Sequence, residues 1–256
     1  MTDPGCPDLL LEAMKKRILL VPAAIIVLMA AAFLVYTGSC AHADAHAVAA
    51  LKSDQDVEVT QTDYGWFFDG PSDEKALVFY PGAKVEETAY APLLHLLAAR
   101  GMDVCLARMP FHLAFFDINR ASVIMSQYRY PAWYVGGHSL GGAMAAEYAA
   151  GHADGLSGVI LCAAYAPKPL DDRLLTLCIY GSEDGVLNME KVAEAREPSS
   201  PGYVEHIIDG GNHAQFGCYG LQKRDGTAKI GFKEQQAEAV DVIISECDRK
   251  EDASPR

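Results

Sequence analysis

Between residues 75 and 248 short apolar runs alternate with segments of helical character. The runs are "KALVFYPG", "MDVCLARMP", "AWYVGG", "LSGVILCAAYA", "RLLTLCIYG" and "YVEHIIDGG". Between and after them lie "EETAYAPLLHLLAARG", "FFDINRASVIMSQY", "GGAMAAEYAAG", "NMEKVAEARE" and "FKEQQAEAVDVIISECDR". Apolar strands alternating with helices, with "LSGVILCAAYA" and "RLLTLCIYG" following one another directly, predict crossover units. The expected fold is therefore α/β, a mostly parallel sheet with helices on both faces. "DVEVTQTDYGWFFDG" ahead of them predicts an antiparallel pair split at "DYG". Ligands of such sheets bind at the carboxyl ends of the strands, so residues that follow strands are the candidates for chemistry.

"AWYVG" runs into "GHSLGG", residues 137–142. A Gly137-His138-Ser139-Leu140-Gly141 turn between strand and helix strains the serine and exposes its hydroxyl above the sheet edge. Gly137 and Gly141 leave space for the neighbouring strand and helix. The same turn aims the Leu140 amide at that place. An ordinary glycine-rich turn can carry the same letters, so companions decide between the readings.

A serine hydroxyl needs a base, and the base an orienting acid. Of eight histidines, His213 in "IIDGGNHAQFG" follows the last strand. His206 lies within that strand, and His42, His46 and His152 fall outside the expected edge. His112, in "RMPFHLAFF", follows a strand and is a pocket candidate. In "LCIYGSEDGV" Asp184 reaches the edge while Glu183 faces solvent. Asp171 and Asp172 precede the strand, at its other end. The alternative role for Asp184 is a turn former before Gly185. An oxyanion hole needs two amides. Leu140 supplies one, and Ala83 in "VFYPGAKV" the other, with Gly82 allowing close approach. Lys84 either attracts an anionic substrate or is solvated. Phe111, Phe115, Phe116, Leu187 and Phe216 either line a pocket for an uncharged acyl group or pack. Between the strand after the nucleophile helix and the acid-bearing strand, "APKPLDD" is too short for a lid, so a shallow, open site is expected.

The beginning of the chain differs. "KKRILLVPAAIIVLMAAAFLVY" sets Lys15, Lys16 and Arg17 before an uncharged run, Ile18 to Tyr36, long enough to span a bilayer. The expected division is a cytoplasmic segment 1–17, an anchor or signal core 18–36, a linker 37–53, a catalytic domain 54–248 and a tail 249–256. Cations before the span place the domain on the extracytoplasmic side of the membrane. The small residues of "AHADAHA", 41–47, offer signal cleavage sites and hence a secreted product. Cys40 after "YTGS" faintly resembles a lipoprotein signal, although Thr37 stands where leucine is preferred. A chain of 256 residues can bury one substantial core, and its net charge of -13 disfavours nucleic acid. Seven cysteines show no metal-ligand spacing, and neither a metal nor an organic cofactor is expected. Cys105, Cys162 and Cys178 read as buried apolar residues. Cys218 and Cys247 are candidates to pair in an oxidising compartment.

With Ser139, Asp184 and His213 in that order, the chain resembles the α/β-hydrolase fold over roughly residues 54–248. "FYPGAKV", "GGHSLGG", "YGSEDGV" and "GGNHAQFGCYG" resemble the bacterial alpha/beta hydrolase fold-5 family. The resemblance implies a triad of Ser139, Asp184 and His213, oxyanion amides at Ala83 and Leu140, and esterase-like action on a small-molecule acyl substrate. "YPG" stands where the wider superfamily more usually has His-Gly. An acyltransferase, or a non-catalytic membrane-anchored binding domain, would keep the same scaffold, though the binder would be expected to have lost a triad member.

Overall fold

A computed structural model of the protein describes residues 7–196 and 202–253. Residues 1–6 of the expected cytoplasmic segment and 254–256 of the expected tail lie outside the described residues. The chain divides into a unit ending at Ser39 and one beginning at Cys40.

The first unit is helix α1 (Pro7–Gly38), which accommodates Pro22. Within it Met14–Tyr36, 23 residues, is long and apolar enough to cross a membrane. At 1.5 Å per residue such a span is about 35 Å long. Ile18, Val27, Leu28 and Val35 are exposed, so the helix presents apolar side chains to its surroundings. A signal segment meets the same criteria.

The second unit contains α2 (Ala45–Ala49), β1 (Glu58–Thr62), β2 (Gly65–Asp69), β3 (Lys75–Tyr80), α3 (Ala91–Ala99), β4 (Asp103–Ala107), α4 (Arg120–Met125) and β5 (Ala132–His138). It continues through α5 (Leu140–Gly151), β6 (Gly158–Cys162), β7 (Leu175–Gly181), α6 (Met189–Arg196), β8 (Tyr203–Ile208) and α7 (Phe232–Asp252). The strands form one eight-stranded sheet in the order β1-β2-β4-β3-β5-β6-β7-β8. β2 runs antiparallel to β1 and β4, and every other pairing is parallel. Side chains alternate across the sheet with period two. From β3, Leu77 and Phe79 join a core with α3 and α7, while Ala76, Val78 and Tyr80 join a second core with α5. β3 to β7 are buried along their whole length, which is why those strands read as largely apolar runs. Successive connections leave β3 in opposite directions, to β4 and, after it, to β5. The loops after β3 and β5 therefore flank one crevice.

Several boundaries differ from expectation. Residues 40–51, read as linker, belong to the domain. Ala41 bridges to Val85, its N–H donates to Lys84 O at 2.7 Å, and Glu86 N–H donates back to Ala41 O at 2.9 Å. Asp44 caps α2 by accepting from His46 and Ala47, and Ala47 is fully buried. Of the alanines that suggested a cleavage site, Ala41 and Ala43 are partly buried against the core and Ala47 is buried, while Ala45 is exposed. His42, placed outside the edge, meets Glu86 of the loop after β3 at 3.3 Å. At the other end α7 runs to Asp252, so much of the expected tail is helix. Lys75, buried at the start of β3, pairs there with Asp248 and Glu251, and Tyr134 donates to Glu251. The helix expected over "FFDINRASVIMSQY" is confined to Arg120–Met125. Ala114–Phe116 form a short 3-10 turn, and Asp117 at φ -150 breaks it from α4. Cys218 and Cys247 are free buried thiols rather than a pair. Burial pushes the thiols of Cys105, Cys162, Cys178 and Cys247 up to about 12.

Candidate active site

β5 delivers Ser139 to the sheet edge at φ 53, ψ -123, and α5 begins at the next residue. Its N–H is pinned to Cys162 O at 3.0 Å, at the end of β6. A Cβ on Gly137 or Gly141 would lie 2.4 or 2.2 Å from Tyr80 O, so neither position admits a side chain. Among the described non-glycine residues, positive φ occurs at Lys84, Phe111, His112, Ser139, Ala163 and Arg224. Four of these lie in the turn after β5 and the loops after β3 and β4, so backbone strain concentrates around the serine.

β7 ends at Gly181, and the turn beyond it holds Asp184. One carboxylate oxygen accepts the N–H groups of Val186 and Leu187, each at 2.8 Å. The other meets His213 Nδ1 at 2.8 Å, and both side chains are 1% exposed. An ionised carboxylate only accepts, so Nδ1 carries the proton and Nε2 keeps its lone pair. His213 Nε2 is buried without a hydrogen-bond partner, and so is not bonded to Ser139. An unmet buried ring nitrogen costs about 1–3 kcal/mol. Contacts to reacting groups are often long in unliganded sites. Glu183 turns outward to Lys229 at 2.6 Å.

Two features here escaped the sequence. Asp225 accepts from the N–H groups of Gly185 and His213 at 3.2 Å each and Ala214 at 2.8 Å, strapping the Asp184 turn to the His213 turn. In "KRDGTAK" it reads as a polar turn residue. Tyr90, in "AYAP", reads as part of an apolar helix face. Its hydroxyl instead meets His138 Nδ1 at 2.8 Å and accepts Gly82 N–H at 3.0 Å. His138 Nε2 meets His213 O at 3.0 Å. Burial, and then the neighbouring His213, hold the His138 imidazole well below its usual range, so it is neutral. The two rings lie 4.6 Å apart. A charged His138 would oppose a charge on His213 by roughly 3–4 kcal/mol at an effective dielectric constant near 20.

In the loop after β3, Gly82 N–H is taken by Tyr90, Lys84 N–H by His112 O at 2.8 Å and Val85 N–H by Gly82 O at 3.3 Å. Ala83 N–H and Leu140 N–H, the latter at the start of α5, have no partner among the described residues. These are the two amides expected from the sequence.

The pocket candidates divide. Lys84 is half-buried and His112 accepts its amide. Phe111, Phe115 and Phe116 remain 46–48% exposed, their rings in contact at 5.4 and 4.3 Å. Leu187 is half-buried near Tyr180 and Val192. Phe216 does not line a pocket. It is fully buried, with its ring 5.8 Å from that of His138. Residues 163–174, between β6 and β7, contain no helix. Cavities of about 620 and 430 Å³ lie away from Ser139, one beside α2, α3 and α7, the other under the 165–172 link and α6. Among the described residues no three His, Cys, Asp or Glu side chains converge as metal ligands.

The alpha/beta hydrolase family model matches residues 76–237, from β3 into α7 and more than half of the chain. No curated protein sequence matches it. Among solved structures, TT1662 from Thermus thermophilus is 13% identical, with a TM-score of 0.56 over 77% of this chain and 99% of that one. CarC, a serine hydrolase involved in carbazole degradation, is 11% identical with a TM-score of 0.55, over 75% and 99%. Est1E from Butyrivibrio proteoclasticus is 14% identical with a TM-score of 0.52, over 75% and 99%. At such identities the likeness is one of fold. Sheet order, strained serine turn and family match together make this chain a member of the alpha/beta hydrolase family.

Proposed function

We propose that the chain is a serine hydrolase that cleaves a carboxylic ester or related acyl bond through Ser139, His213 and Asp184. His213 Nε2 takes the Ser139 proton as Oγ attacks the carbonyl carbon. The Ala83 and Leu140 amides receive the oxyanion, and Asp184 holds the imidazole and balances its charge. The imidazolium returns the proton to the leaving group, and water activated by His213 then releases the acid. The observation that carries this reading is the buried His213–Asp184 pair, whose outer ring nitrogen is left without a partner. The short link between β6 and β7 and the exposed phenylalanines favour an uncharged acyl group of modest size at an open site.

The test is labelling of the full chain with a fluorophosphonate, with mass-spectrometric location of the adduct. Ser139 is expected to carry it. Ser139→Ala should lose ester turnover by about four orders of magnitude or more, with Tm unchanged or raised because a strained residue is relieved. Turnover retained in that variant removes the mechanism.

The N-terminal helix is proposed to remain as an anchor, with the domain on the extracytoplasmic side as Lys15, Lys16 and Arg17 suggest. Retention is supported by the packing of residues 41–47 into the domain, where cleavage would cut a folded segment. Protease added outside intact cells should reach the domain, and protection of the domain contradicts the orientation.

A further inference from the structure

We propose that Tyr90 and His138 form a positioning relay that holds the oxyanion loop and the His213 turn in register with the serine turn. The proposal rests on the catalytic reading of Ser139, His213 and Asp184 given above.

The parts to be aligned come from three separate loops, after β3, β5 and β8. A 1 Å error between them can cost about a hundredfold in rate. The relay touches all three. Its hydrogen-bond directions are fixed by what each atom can do. The His213 carbonyl only accepts, so His138 Nε2 carries the proton and donates to it at 3.0 Å. His138 Nδ1 is then an acceptor and takes the Tyr90 O–H at 2.8 Å. The Tyr90 oxygen in turn accepts Gly82 N–H at 3.0 Å. Every member is satisfied, and Tyr90 and His138 are 0% and 1% exposed. In such a dry chain each bond polarises the next.

The relay also sorts the amides. It engages Gly82 N–H and leaves Ala83 N–H, one residue on, without a partner among the described residues. It fixes the His213 main chain through its carbonyl while leaving the His213 ring to Asp184. Neither Tyr90 nor His138 is hydrogen-bonded to His213 Nε2, so both act through the residues they hold.

Tyr90→Phe keeps the ring and removes the hydroxyl, leaving Gly82 N–H and His138 Nδ1 unpaired. In the full chain in detergent, kcat should fall about 10- to 100-fold with KM little changed, and fluorophosphonate labelling of Ser139 should slow by a similar factor. A merely structural Tyr90 would lower Tm and leave the turnover of folded protein as it was, and that result overturns the proposal. An unlabelled wild type removes the catalytic reading and the relay's role with it, whereas a labelled wild type with unimpaired Tyr90→Phe removes the relay alone. Nitrogen NMR of the histidine-labelled wild type needs no variant. His138 should stay neutral and protonated on Nε2 from pH 5 to 9, and a His138 that titrates in that range or carries its proton on Nδ1 overturns the relay.

Discussion

A Cβ added at Gly82 would lie 2.7 Å from the Tyr90 hydroxyl and 2.8 Å from His138 Nδ1. Alanine there forces the loop off Tyr90 and moves the Ala83 amide with it. Gly82→Ala should lower kcat about a hundredfold, the usual loss for one oxyanion donor, at a stability cost of about 1–3 kcal/mol from overpacking. Steady-state kinetics and thermal melts on the same preparation separate the two effects, and unchanged kcat would place the oxyanion donor elsewhere. Asp103 responds to pH. Burial raises its carboxyl from 3.8 to about 6, although it accepts from Gly70 N–H and the Tyr130 hydroxyl. A raised folded pKa means that its contribution to stability is full below about pH 4 and is lost as pH rises through about 6. Asn at 103 can still accept from Gly70 and donate to the Tyr130 oxygen, and it does not titrate. The Tm of Asp103→Asn relative to wild type should therefore rise between pH 4 and 7, and a constant difference would contradict the shift. The places of Ser139, Asp184 and His213 after β5, β7 and β8 were legible because one motif and a strand order assign each a position. Tyr90 and Asp225 were not, since Tyr90 meets His138 from 48 residues away and Asp225 meets Gly185 from 40, and only the folded sheet edge brings those pairs together.

Asp225 acts between elements, tying the turn after β7 to the turn after β8 with a single carboxylate. Hydrogen bonds to a charged group are worth about 1.5–3 kcal/mol each where buried, and Asp225 is half-buried. Asp225→Ala should cost on the order of 2 kcal/mol. It should reduce kcat more than KM, because the Asp184 and His213 turns then move independently. Hydrogen exchange at Gly185, His213 and Ala214 should accelerate together, and protection that persists there would show that other contacts hold the turns. Five of the six parallel strands, β3 to β7, were readable because they are buried along their whole length and are largely apolar, whereas β8 carries Glu205 and His206 and is only half-buried. α2 was not readable. Its five residues, "AHAVA", bury a single side chain, Ala47, and give no amphipathic period. The start of the helix expected over "FFDINRASVIMSQY" was misread: Phe115 and Phe116 stay exposed in a short 3-10 turn, and Asp117 at φ -150 separates it from α4.

At the scale of the whole molecule, the question is where the catalytic domain begins. The sequence placed its start at residue 54, but the chain enters the domain at Cys40 and at once borders the loop after β3. Two bonds, Ala41 N–H to Lys84 O and Glu86 N–H to Ala41 O, brace the far side of the loop that carries Ala83. A third, Asp44 N–H to Cys218 O, ties the segment to the chain beyond His213. At about 0.5–1.5 kcal/mol net for each bond, together with burial of Ala47, the segment contributes on the order of 3 kcal/mol. For a domain of this size that corresponds to roughly 5–10 °C in Tm. A chain beginning at Cys40 should match the full-length protein in kcat on a dissolved short-chain ester. One beginning at Asp44, the product of signal cleavage after Ala43, keeps α2 and the Cys218 bond but loses the brace, so its kcat should fall more than its Tm. One beginning at Ser53 should lose both. Melts and kinetics on these three chains read out the order directly. If the chain starting at Ser53 is as stable and active as the one starting at Cys40, residues 40–52 are a linker after all. If the chain starting at Asp44 is fully active, cleavage at that point is compatible with function and retention of the anchor loses its structural support.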